Sequence, residues 1–123
     1  MYRKRDKYQL TIYDFILPFG GHLNKENRWV RLREAIDWDS IEEEYIQQFE
    51  NIESGQEAFS SDLAFGSLYI QRKLGLTDRE LVDQIAENPY MQYFIGFREF
   101  QNEKPFDPSL LVYFRKRFPE EAM

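Results

Sequence analysis

Apolar positions recur at helical spacing over most of the chain, in short runs separated by caps, glycines and prolines. Trp29, Leu32 and Ile36 fall three and four residues apart and predict a helix ending near residues 36–37, with Asn24 as its cap. Ile41, Tyr45 and Phe49 repeat the pattern opposite Glu43, Glu44 and Gln47, and Asp39 with Glu42 reads as the capping box that starts this second helix. Residues 51–57, with Ser54 and Gly55, are the most loop-like stretch. Ser60 or Ser61 then caps a third helix through Leu74. Its Leu63, Ala64, Phe65, Leu68, Tyr69 and Ile70 leave almost no polar side, the pattern of a central helix crossed by several neighbours. Gly66 within it permits close helix contact. Arg72 and Lys73 suit the negative end of its dipole, and Gly75 supplies a left-handed C-terminal cap. Thr77 and Glu80 form a capping box for a fourth helix whose Leu81, Val82 and Ile85 face inward. Asn88 and Pro89 end it, since a residue before proline avoids the helical region. Residues 90–94 add one or two turns, and Asp107 with Pro108 opens a last helix through Leu110, Leu111 and Phe114 to about Phe118.

The first twenty residues have no such period. Residues 11–15 mix β-branched, aromatic and acidic side chains, and Pro18, Gly20 and Gly21 interrupt regular structure. The expected fold is therefore all-α, a small bundle of about five helices with a candidate helix-turn-helix and a non-helical N-terminal arm. The expected organisation is an arm and glycine bend over residues 1–22, a helical domain over 23–118, and a tail or truncated junction over 119–123.

Composition narrows the chemistry. The 123 residues are 42% hydrophobic and 31% charged, which is globular and of a size for one core. Cysteine is absent and His22 is the only histidine, so thiolate nucleophiles, iron–sulfur clusters and multi-imidazole centres are excluded. No apolar run approaches the roughly 20 residues of a membrane span, and the opening MYRKRDKY is not a signal peptide. No membrane partner and a cytoplasmic location are expected. A net charge of −6 argues against a domain that wraps nucleic acid unaided.

That total conceals segregation. Arg3, Lys4, Arg5 and Lys7 crowd the start, and Arg28, Arg31 and Arg33 follow on the first predicted helix. Residues 34–71 then hold ten acids and no Lys or Arg. The seven named cations are the candidate phosphate contacts. A second basic run, Arg115, Lys116 and Arg117, also reads simply as charges favourable at a helix C-terminus.

The third helix, Gly75 and the capped fourth helix form either an ordinary bundle corner or a helix-turn-helix whose second helix enters the major groove. In the latter case Thr77, Arg79 and Gln84 are the candidate base-reading residues, since Arg pairs bidentately with guanine and Gln with adenine. Asp78, Glu80, Asp83 and Glu87 on the same helix oppose that role. A metal-dependent nuclease would have to use Asp37, Asp39, Glu42 and Glu43, which lie on and before a solvated helix face with no pocket implied. No catalytic or metal-ligating residue is assigned to this chain. Trp29 and Trp38 read as core anchors.

Three separated strings carry more information: FGGHLNKENRWVRLREAIDWDSIEEEYIQQF, KLGLTDRELVDQIAENPYMQYFIGFREF and PFDPSLLVYFRKRF. In this order they resemble the amino-terminal region of bacterial insertion-sequence transposases of the InsH-like group, from about Phe19 to Phe118. NPYxQYFxG followed by PFDPSxLVxFRKR is the most distinctive part. The resemblance implies a helical region that recognises the terminal inverted repeats of a mobile element, helps assemble the transposase on double-stranded DNA, and precedes an RNase-H-like domain. It places the DDE carboxylates and their divalent metal in that catalytic domain, beyond the matched blocks, so no cofactor is expected for this chain and it reads as a non-catalytic fragment. Its implied partners are element-end DNA and the catalytic domain. The competing function is a protein-interaction or self-association module, supported by the ring-rich residues Tyr90, Tyr93, Phe94, Phe97 and Phe100.

Overall fold

The computed structural model describes residues 11–47 and 59–118. These form an all-helical bundle of α1 (Arg28–Ala35), α2 (Trp38–Gln47), α3 (Ser61–Leu74), α4 (Asp78–Glu87), α5 (Pro89–Phe94) and α6 (Leu111–Arg117). A single 3₁₀ turn, Pro108–Leu110, leads into α6. The basic residues 3–7, the loop-like residues 51–57, Phe49 and the tail 119–123 lie outside the described residues.

The central position expected for α3 is observed. Ala64, Leu68 and Ile70 are fully buried, and α2, α4, α5 and α6 all pack on it. Gly66 is buried where a Cβ would come within 3.0 Å of Ile95 Cγ2, so the bare backbone is what lets the end of α5 close on α3. Rings fill the rest. Trp29 and Trp38 each meet Phe94 with centroids 5.4 Å apart, while Tyr45 stacks on Phe118 at 5.3 Å and Phe65 meets that ring edge-on. Both tryptophans are core anchors, and Trp38 Nε1 donates to the Arg33 carbonyl at 2.8 Å.

Capping explains most element boundaries. Ser60 accepts from the Leu63 amide, Gly75 adopts φ 66° and ψ 42°, and the Thr77–Glu80 box is complete in both directions. Two caps differ from expectation. Asn27, not Asn24, caps α1 by accepting from the Trp29 amide; Asn24 instead organises the preceding turn by accepting from the Glu26 amide. Asp37, not Asp39, starts α2, accepting from both the amide and hydroxyl of Ser40. Each segment offers several acceptors within three residues, and entry geometry selects among them.

The N-terminal segment is the non-helical arm expected, and its described part packs on the bundle. Ile12 and Phe15 are buried with Leu23, Val30 and Tyr93 in a second apolar cluster. Phe15 meets Tyr93 edge-on at 5.9 Å. Ile16 makes a one-residue parallel bridge, donating to the Arg98 carbonyl and accepting from the Phe100 amide. The arm thus shares a core with α1 and α5.

Candidate nucleic-acid interface

Beyond Gln71 the last turn of α3 carries Arg72 and Lys73, and the chain turns through Gly75, whose amide and that of Leu76 both donate to the Gln71 carbonyl. Positive φ at this point is open to glycine without the steric penalty other residues meet. Thr77 then caps α4: its hydroxyl accepts from the Glu80 amide at 3.1 Å, and Glu80 accepts from the Thr77 amide at 3.0 Å. The Thr77 amide, and after it the Thr77 hydroxyl, hold the Glu80 carboxyl below its ordinary range.

α6 reaches this corner from the far end of the chain. The Arg115 guanidinium grips Asp78, the first residue of α4, with both terminal nitrogens at 2.9 and 3.2 Å, and Gln71 Nε2 donates to the same carboxylate at 2.6 Å. Arg115 is the main reason the Asp78 carboxyl sits below its usual value; partial burial opposes it and Gln71 assists. Arg72 donates to the Phe118 carbonyl at 3.0 Å, which ties the end of α3 to the end of α6. Six cations therefore lie on the three helix ends that this corner joins: Arg72 and Lys73 in the last turn of α3, Arg79 in the first turn of α4, and Arg115, Lys116 and Arg117 in the last turn of α6. Asp78 and Glu80 are the carboxylates within the same turns, and both are engaged.

The residues predicted from sequence divide between two places. Thr77 is exposed but its hydroxyl is committed to the cap, Arg79 is exposed, and Gln84 is half-buried. Arg28 and Arg31 are exposed on α1, with Arg28 over the Trp29 ring at 4.9 Å. Arg33 corrects the expectation of a phosphate contact. It is 7% exposed, bonded to Asp62 and to the Phe94 carbonyl at 2.9 Å each, and layered on Trp38. A guanidinium satisfied in this way has no surface to offer an external phosphate. Asp62 lies in the first turn of α3, so α1 is pinned to one end of that helix and the six-cation corner lies at the other. At 1.5 Å per residue the two ends are about 18 Å apart.

Sequence reasoning missed the convergence of Arg72, Lys73 and residues 115–117 because each group is adequately explained by its own helix end. The RKR run was the signal; its neighbour on α4, 37 residues away, was not visible. The ring-rich segment offered as an interaction surface is largely internal: Tyr93 and Phe94 are buried, and Tyr90, Phe97 and Phe100 are half-buried. Asp37, proposed for a nuclease, caps a helix, and among the described residues no group of three or more His, Asp or Glu is placed to hold a metal ion. No helix among those residues is long and apolar enough to cross a membrane.

The fold is an all-helical bundle whose helix-pair contacts are consistent with a helix-turn-helix-like arrangement. Residues 18–117 match the family described as "Transposase domain (DUF772)", and the chain belongs to that family. It is also similar to "Uncharacterized protein ORF8 in nfe locus" of Rhizobium meliloti, 33% identical over 101 residues, or 82% of this chain and 48% of that one. The chain thus spans about half the length of the curated relative it matches. No solved structure matches it.

Proposed function

We propose that this domain binds the inverted-repeat ends of a mobile element and helps assemble the transposase there, with α4 as the groove-entering helix. The observation that carries the reading is the capped corner at Gly75, where α4 begins beside helix ends that carry six cations in a chain of net charge −6. Charge concentrated where a recognition helix begins is what backbone contact beside a groove requires. Arg79 and Gln84 are the base-reading side chains of this reading, and Thr77 sets the start of their helix. Arg28 and Arg31, at the other end of α3, supply separate phosphate contacts. An InsH-like parentage accords with the three sequence strings, and strand chemistry belongs to a DDE domain outside the matched blocks.

Anisotropy titration against an inverted-repeat duplex and a scrambled duplex, at two salt concentrations, tests this. Tighter binding to the repeat is expected, with a salt slope of about −0.9 per phosphate engaged, near −3.6 for four. Undetectable binding to both duplexes overturns independent recognition. An assembly role through protein contacts retains one support, the exposed Tyr13, Ile16 and Phe19 of the N-terminal segment. A dimer in sedimentation that dissociates on Phe19→Ser would favour it.

A further inference from the structure

The sequence left a conflict: a recognition helix that begins with acids should repel the phosphates it approaches. The structure supplies a neutralising partner for the acid at the head of that helix. We infer that the joined ends of α3 and α6 form a clamp for the phosphates of duplex DNA beside α4, and that Asp78 restrains this clamp by occupying Arg115. This rests on the DNA-binding reading above.

Three features support it. The pair is half-open, with the Arg115 and Asp78 side chains 40% and 36% exposed, so an incoming phosphate can reach the guanidinium without unfolding anything. Phosphate and carboxylate both accept the two-pronged arginine fork, so one anion can replace the other on Arg115. The ammonium groups on the same two helix ends are partly ordered beforehand: Lys73 Nζ lies 6.0 Å from the Tyr69 ring centroid and Lys116 Nζ 5.6 Å from that of Tyr113. Aromatic support of a lysine stem lowers the conformational freedom lost when a phosphate is bound. Arg72 on the Phe118 carbonyl keeps the two helix ends together while Arg115 changes partner.

Asp78→Asn tests the restraint, because it keeps the shape and the acceptor for Gln71 but removes the charge. In titrations of the full chain it should bind both the repeat and the scrambled duplex about three- to tenfold more tightly, with a salt slope steeper by about one unit. Asp78→Ser should move both quantities in the same direction. Adding Arg115→Ala to Asp78→Asn should abolish the gain. Lys73→Ala with Lys116→Ala should weaken both duplexes equally and make the slope shallower by up to about two units. Asp78 variants that melt cooperatively yet bind no more tightly than the wild type overturn the restraint, and lysine variants that bind like the wild type overturn the clamp. In both cases wild-type binding to the repeat remains, so the parent reading stands; no binding by any protein overturns both.

Discussion

Two Arg–Asp pairs stand at opposite ends of α3, with the same 2.9 Å contact and opposite surroundings. Arg33 and Asp62 are 7% and 8% exposed; Arg115 and Asp78 are 40% and 36% exposed. At the first end the pair lies inside the bundle. Arg33 also bonds the Phe94 carbonyl and lies 4.7 Å from the Trp38 ring centroid, and Gly96, at φ 96°, brings its backbone against Asp62, where a Cβ would sit 3.2 Å from the Asp62 Cβ. Nearby, buried Gln92 donates to the carbonyls of Ile85 and Gln101 and accepts from the Gln101 amide, each at 2.9 Å. At the second end the pair is half-open to water, and the helix ends beside it carry further cations. Identical chemistry is thus architectural in one place and exchangeable in the other, and burial makes the difference. An anion from outside cannot compete for a guanidinium it cannot reach.

The comparison predicts unequal consequences. Arg33→Ala leaves Asp62 charged and unpaired inside the bundle, and should destabilise the fold by about 3–5 kcal/mol in chemical denaturation. That is a large share of the ~5–15 kcal/mol that holds a small domain together. Gln92→Ala strands the Gln101 amide and removes a donor from the Ile85 carbonyl. A loss of about 1–3 kcal/mol is expected, read as a lower denaturation midpoint with an unchanged slope. If either variant leaves stability unaltered, the buried end is not the architectural one.

The same contrast explains what was legible in the sequence. The α3–Gly75–α4 corner could be read almost to the residue because capping is local: Ser60, Gly75, Thr77 and Glu80 each act within four positions of themselves. The motif NPYxQYFxG was visible as a distinctive string, yet its physical work is internal. Asn88 caps α5, the Tyr90 hydroxyl accepts from the Asn24 amide, Gln92 ties the last turn of α4 to Gln101, and the Phe94 carbonyl receives Arg33. Arg33 was misplaced because helical periodicity assigns a charged residue to the solvent side, and its partner lies 29 residues away. Ile12 and Phe15 belong to the non-helical arm, and their burial was not visible because no repeating pattern marks a core position that is completed by Tyr93. Local rules reveal elements and their ends; which charges meet is decided by packing between elements.

The smallest effect belongs to the exposed pair, and its pH dependence gives the finest test. Arg115 and Gln71 hold the Asp78 carboxyl below its ordinary range, and the capping box does the same for Glu80. A carboxyl whose folded pKa is lowered adds stability above its unfolded pKa, and that contribution disappears as pH falls from about 4 through the lower folded value. Arg115→Ala should therefore lower stability at neutral pH by no more than about 1 kcal/mol, because water screens an open pair. The gap to the wild type should close progressively as the medium is acidified below about pH 4, since a protonated Asp78 has no charge for Arg115 to meet. Melting curves of the two proteins between neutrality and acid pH would show the convergence. A deficit as large as that of Arg33→Ala, or one that persists unchanged in acid, would mean that the corner pair is structural after all, and Arg115 would then be no more available to a phosphate than Arg33.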